Sequence, residues 1–168
     1  MQAPAQQVYE RLRQMYPGLD TSSMEVVGPL KRVQALLDLA IEPLFAGASV
    51  TSPELDVLLR LRYAEQPTIA RQLARQMSRS PAALSKTLAK LERRGYISRT
   101  ANPADRRAAL VHLTDEGSEV VNTLFPQQLA VEVRLLSGMT AQQRAQIIEG
   151  LTQLVKVMEA GLRDMTAP

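Results

Sequence analysis

The chain has 168 residues, 45% of them apolar and 4% aromatic, with no cysteine, one histidine and a net charge of +3. That is enough for one compact domain or two small lobes, while the missing cysteine excludes disulfides, thiolate sensing and cysteine-based zinc sites. No run approaches the roughly 18 uninterrupted apolar residues of a membrane span, and the N-terminus lacks a charged region followed by an apolar one, so a cytoplasmic protein with no membrane partner is expected.

The charge is unevenly placed. Residues 67–107 hold ten basic and two acidic side chains, against six and eight in residues 1–66 and four and seven in residues 108–168. A solvated surface ordinarily mixes signs, so a basic centre between acidic ends points to a polyanion, with the phosphate backbone as first candidate.

In chain order, Val8, Leu12, Met15 and Tyr16 recur at helical spacing and stop at Pro17 and Gly18, which predicts a short amphipathic helix. Ser22 and Glu25 have the spacing of a capping box for the next helix, whose Leu30, Val33, Leu37, Ala40, Ile41 and Leu44 repeat with the same period. Pro29 and Pro43 each remove a backbone donor, so a kink or a late start is expected near Pro29.

Further on, Thr68 is placed to cap "TIARQLARQM", in which Ile69, Leu73 and Met77 share one face and Arg71 and Arg75 point elsewhere. Ser78, Arg79 and Ser80 make a tight connection to a second helix, with Ser80 at its cap and Pro81 in its first turn, where a missing N–H costs nothing. Leu84, Leu88 and Leu91 form the apolar stripe of that helix, and Gly95 ends it as a left-handed C-terminal cap does. Its opposite face carries Ala82, Lys86, Ala89, Lys90 and Arg93, with Ala83, Ser85, Thr87 and Arg94 at the margins. Small residues permit close approach, hydroxyls donate or accept, and lysines reach phosphates or guanine edges in a groove about 12 Å wide. Two short helices joined by a tight turn, the second so equipped, are a helix-turn-helix.

"YISRT" and "AALVHLT" then alternate polar and apolar residues around the turn-rich "ANPADRR", which predicts a β-hairpin with a long tip. A hairpin following a recognition helix is a wing, and arginines on such a tip suit the negative potential of the minor groove. Asp105 is placed to hold the Arg107 guanidinium and stiffen the loop. His112 lies opposite the Val111 and Leu113 face, which suits a solvated or phosphate-contacting imidazole better than a metal ligand. Thr114 is set to cap a helix that carries Asp115 and Glu116 in its first turn and reaches Leu136, kinked at Pro126. Finally, Thr140 to Gln143 read as a capping box, and Ile147, Leu151, Leu154, Val155, Met158 and Leu162 make a stripe over four helical turns.

The motifs "DRRAALVHLT" (Asp105, Arg107, Leu113, Thr114), "DEG" (Asp115 to Gly117) and "LAKLERRGYISR" (Leu88 to Arg99) resemble those of the MarR-type transcriptional regulators. "SPELDVLLRL", Ser52 to Leu61, is similar to the helix that precedes the helix-turn-helix in that family. The resemblance implies a mostly helical winged helix-turn-helix with a small β-hairpin, whose N- and C-terminal helices form a dimerisation lobe. On that layout residues 1–48 and 116–168 supply the lobe and residues 49–115 the DNA-binding domain. It further implies a homodimer, a palindromic double-stranded operator, repression, and a small, often aromatic effector that weakens DNA binding. The expected DNA contacts lie on a recognition helix near residues 80–94 and a wing near residues 99–110: Thr68, Arg79, Ser80, Ala82, Ala83, Ser85, Lys86, Thr87, Lys90, Arg99, Asp105, Arg106 and Arg107. Asp38, Asp56 and Arg60, charged residues among leucines, are the effector-binding candidates. Without cysteine, the thiol-oxidised peroxide sensors of the family are excluded.

Two other classes make different demands on the residues. A winged-helix module that binds protein instead of DNA predicts a neutral or mixed recognition face, against Lys86, Lys90, Arg93 and Arg94. An enzyme needs a nucleophile with its base, paired carboxylates or a metal cluster, and the chain offers no convincing set. No catalytic residue, metal or cofactor is therefore expected.

Overall fold

The computed structural model describes residues 4–105 and 107–166. Its elements are α1 (Pro4–Met15), α2 (Met24–Phe45), α3 (Ser52–Arg62), β1 (Thr68–Ile69), α4 (Ala70–Gln76), α5 (Pro81–Arg93), β2 (Ile97–Thr100), β3 (Leu110–Leu113), α6 (Asp115–Leu135) and α7 (Ala141–Thr166). The strands form one antiparallel sheet in the order β1-β3-β2. No helix among the described residues is long and apolar enough to cross a membrane.

The chain divides into two units, residues 1–132 and 133–168. The core belongs to the first. Leu55 and Leu58 of α3, Leu73 of α4 and Leu84, Leu88 and Leu91 of α5 are fully buried, joined by Val57, Ile97, Val111 and Val121. Each fully buried aliphatic side chain contributes about 1.5–3 kcal/mol relative to exposure, as an upper estimate. The leucine spacing of α5 thus fixes which of its faces turns inward, and so which is left for a partner. α3 begins with a reciprocal capping box: the Thr51 side chain accepts from the backbone of Glu54, and Glu54 Oε2 accepts from the Thr51 N–H at 2.9 Å.

Three local expectations are corrected. Thr68 does not cap α4; it pairs with Val111 in a short strand, and the helix starts two residues later with Ile69 at the cap position. The third strand comes from this pairing, which no local pattern announces. Ser22 and Glu25 form no capping box: the Ser22 N–H donates to Asp20 Oδ1, Ser23 is the cap residue without a side-chain bond, and Glu25 pairs with Arg13 of α1. Of the kink or late start expected near Pro29, the late start does not occur: α2 starts at Met24 and contains both Pro29 and Pro43, each leaving the carbonyl four residues earlier without its helical donor. α6 runs as helix on both sides of Pro126.

In the second unit, α7 opens with the anticipated capping box, Thr140 N–H to Gln143 Oε1 at 2.9 Å and Gln143 N–H to Thr140 Oγ1 at 3.2 Å. Its apolar stripe is open to solvent in the single chain, with Ile147, Leu151, Val155 and Met158 all about half exposed.

Candidate nucleic-acid interface

The interface is built on α5. Ser80 takes extended backbone and its Oγ accepts from the Ala83 N–H at 3.2 Å, which satisfies one orphan donor and starts the helix where Pro81 fits. The preceding turn is tight: Ser78 has φ +50°, and the Arg79 N–H returns to the Ala74 carbonyl at 2.9 Å. At the far end Gly95, with φ +75°, stops the helix in the left-handed region where a side chain would be strained.

With Leu84, Leu88 and Leu91 turned inward, Ala82, Ala83, Ser85, Lys86, Ala89, Lys90 and Arg93 are exposed together. Lys86, Lys90 and Arg93 form no ion pair among the described residues. Ser85 is an open hydroxyl, whereas Thr87 is half-buried and donates to the Ala83 carbonyl at 3.2 Å. Arg79 is half-buried, with a long 3.5 Å contact from Nη1 to the Pro53 carbonyl. Thr68 separates from the group: it is a residue of β1, 5% exposed, with its hydroxyl buried and unpartnered among the described residues, so that it presents no surface to a duplex.

The wing is the β2–β3 hairpin, in register from Ile97 opposite Leu113 to Thr100 opposite Leu110. In its tip, Asn102 Oδ1 accepts from the Ala104 N–H and Asp105 Oδ1 from the Arg107 N–H at 2.9 Å. Asp105 therefore stiffens the loop through the backbone amide of Arg107, not through the guanidinium as expected, because an Asx turn closes over two residues more readily than a long side chain folds back. The Arg107 side chain stays exposed, and Arg106 lies outside the described residues. Arg99 is held back, its Nε 3.1 Å from Glu92 Oε2 of α5, so it links wing to helix. His112 shares a 2.8 Å hydrogen bond with Thr100 Oγ1 across the hairpin.

Two fixing points go beyond the sequence reading, in which Thr114 was expected only to cap α6, as it does, and Arg94 to lie at the margin of the basic face. Thr114 Oγ1 donates to the Gly95 carbonyl at 2.6 Å and accepts from the Gly117 N–H at 3.1 Å, while its own N–H donates to the Tyr96 carbonyl. One threonine thus clasps the exit of α5, the end of the wing and the start of α6. Arg94, expected on the basic face, turns away from it and bonds Glu54 Oε1 of α3 at 2.6 Å. A buried carboxylate needs such a partner, and that requirement decides where the guanidinium goes. Burial pushes the Glu54 carboxyl upward, but the bonds from the Thr51 N–H and from Arg94 outweigh it and hold the group below its ordinary value.

The effector candidates separate. Asp38 accepts from Gln34 at 2.9 Å and lines a groove of about 710 Å³ with Leu39, Ile41, Phe45 and Ser52. Asp56 and Arg60 line a different groove, of about 500 Å³, with Tyr63, Met77 and Ser78. Either has the room of a small-molecule site, about 300–1,000 Å³, but the three residues do not share one. Loss of water around Asp56 raises its carboxyl above the ordinary value, with Arg79 opposing and Glu132 adding to the shift. Among the described residues no group of three or more His, Cys, Asp or Glu is placed to hold a metal ion.

Residues 50–109 match the model of the MarR family. The chain is 28% identical over 145 residues to the HTH-type transcriptional regulator PecS of Dickeya dadantii (strain 3937), covering 83% of this chain and 86% of that protein. In fold it is similar to MepR of S. aureus, solved as a DNA complex, with a TM-score of 0.73 at 19% identity over 79% of this chain and 97% of that one. It is likewise similar to PcaV of Streptomyces coelicolor in complex with its natural ligand, with a TM-score of 0.70 at 22% identity over 83% and 97% of the two chains.

Proposed function

We propose that this chain is a transcriptional regulator of the MarR family, as the match of residues 50–109 and the similarity to PecS support, and that it works as a homodimeric repressor that places α5 in the major groove of a palindromic operator and its wing in the adjoining minor groove. The observation that carries this reading is the face of α5 opposite its three buried leucines. There Lys86, Lys90 and Arg93 stand exposed, without an ion pair among the described residues, beside the small residues Ala82, Ala83 and Ser85. Phosphate contacts position such a helix, and the side chains near its N-terminal end read bases. The exposed Arg107 on an Asx-stiffened tip supports the minor-groove role.

Residues 49–115 are the DNA-binding part on this reading, and residues 1–48 and 116–168 supply the dimerisation helices. The half-exposed stripe of α7 supports dimerisation, since contiguous exposed apolar surface of this kind marks an interaction site. Two-fold symmetry then puts the recognition helices about one helical turn of DNA apart, near 10 base pairs. A small aromatic effector, bound at the Asp38 groove or at the Asp56–Arg60 groove, lowers DNA affinity by favouring a dimer with mis-spaced helices. The DNA in the MepR structure and the natural ligand in that of PcaV support both halves of this reading.

The test is selection of duplexes from genomic fragments by the full chain, followed by binding titrations over a range of salt. A palindromic site, a steep salt dependence and a loss of about 1–3 kcal/mol for Lys86→Ala and for Arg107→Ala are expected. If no fragment is enriched even in dilute buffer, or both variants bind as the parent does, the reading fails.

A further inference from the structure

The three buried leucines of α5 fix its depth and roll, but they say nothing about how its last turn is held. That task falls to Arg94, the residue after the helix. Its Nη2 donates to Glu54 Oε1 at 2.6 Å, its Nη1 to the Ser49 carbonyl and its Nε to the Lys90 carbonyl at 3.2 Å. The guanidinium also lies over the Tyr96 ring, 5.6 Å from its centroid. All three nitrogens are committed to groups of the protein itself, although the side chain stays partly exposed. Glu54 is 5% exposed and uses its other oxygen on the Thr51 N–H. Ser49 and Thr51 belong to the loop between α2 and α3, which turns at Gly47 with φ +84°.

We propose that Arg94 is a positioning residue, which joins the exit of α5 to the α2–α3 loop through Glu54 and Ser49 so that the placement of that loop sets the angle of the recognition helix. The planar guanidinium suits this because it reaches the carboxylate and the carbonyl at once from fixed directions, which an ammonium does not. A rigid bridge of this kind carries a displacement of the C-terminal end of α2 directly to α5, and needs no chain of intermediate side chains. The proposal rests on the DNA-binding reading for its functional half and on the free protein for its mechanical half.

Four variants of the full chain test it: Glu54→Gln, Arg94→Gln, the two combined, and Arg94→Lys. Each is titrated against a duplex that the parent has selected from a random pool, with the active fraction counted by stoichiometric binding so that partial unfolding does not pass for weak affinity. Each single variant, Arg94→Lys included, is expected to weaken binding on the order of tenfold, the double variant no more than the worse single, and the slope of log affinity against log salt to stay that of the parent. Three results overturn the proposal: Glu54→Gln binds as the parent does, the single losses add in the double variant, or Arg94→Gln lowers the slope as a lost phosphate contact does. Hydrogen exchange without DNA is the second arm. Glu54→Gln is expected to speed exchange at residues 47–51 and 90–96 while residues 110–113 stay protected, and unchanged exchange there overturns the link. If the parent selects no duplex, the DNA-binding reading fails and the exchange arm still decides whether Arg94 carries the connection.

Discussion

A Cβ on Gly117 would stand 2.1 Å from the carbonyl oxygen of Tyr96 and 2.8 Å from Leu113 Cδ1. The first turn of α6 therefore lies against the start of the wing at a distance only a hydrogen permits, and the Thr114 clasp holds it there. Gly117→Ala has to push backbone aside, not a flexible side chain. We expect a loss of about 3 kcal/mol, read as a shift in the denaturant midpoint, and an unchanged midpoint contradicts the close approach.

The wing offers a separation of two roles. On the proposed reading Arg107→Ala removes one positive charge from the contact with the duplex, so it should lower the salt slope by about 0.9. Asp105→Ala leaves Arg107 in place but frees its N–H, so it should weaken binding by about 1 kcal/mol with the slope preserved. Measuring both slopes on one duplex distinguishes a contact from a stiffener.

Glu54 titrates below its ordinary value of 4.5 in the folded chain. Its ionised form favours the fold, so its stabilisation is complete above that value and is lost as pH falls through it and then through the lower folded value. Thermal melts of the parent and of Glu54→Gln should therefore differ most at neutral pH and converge in strong acid. Parallel melting curves across the acid range would show that the charge is not what Arg94 holds.

Asp56 behaves in the opposite sense. Its carboxyl is raised above 3.8, so the charge opposes folding at neutral pH, and the penalty declines as pH falls through the raised folded value and is gone below 3.8. Asp56→Asn should raise the melting temperature at pH 7 and leave it unchanged in strong acid. A lower melting temperature at pH 7 would mean that the attraction to Arg79 outweighs the loss of water.

On α7, Leu151→Glu and Val155→Glu place charge in the stripe that dimerisation is expected to cover. Sedimentation should show a monomer at concentrations where the parent is a dimer, and operator affinity should fall with it because each half-site then binds alone. A dimer that survives both substitutions moves the interface elsewhere.

Much of α5 was legible from its own residues. Ser80 and Pro81 mark its start, Gly95 its end, and the leucines at positions 84, 88 and 91 its buried face; all are contacts within a few positions of the chain, where periodicity and capping chemistry operate. The hairpin and the box that starts α7 were legible for the same reason. Arg94 was not, because the carboxylate that claims it lies 40 positions earlier. Before folding, a guanidinium beside Arg93 is one more positive charge, and only the burial of Glu54 tells the two apart. Thr68 is similar: its sequence context suits a cap, and the strand at Val111 overrides that preference. The wing motif shows the division most clearly. Its residues were recognisable as a pattern, while the reason Gly117 carries no side chain, the Tyr96 carbonyl standing where a Cβ would have to go, exists only once α6 has packed against Tyr96. Local chemistry settled which segments become helices and which face of α5 is basic, since those depend on neighbours along the chain; packing settled which of the charges remain free to meet a partner, since that depends on neighbours in space.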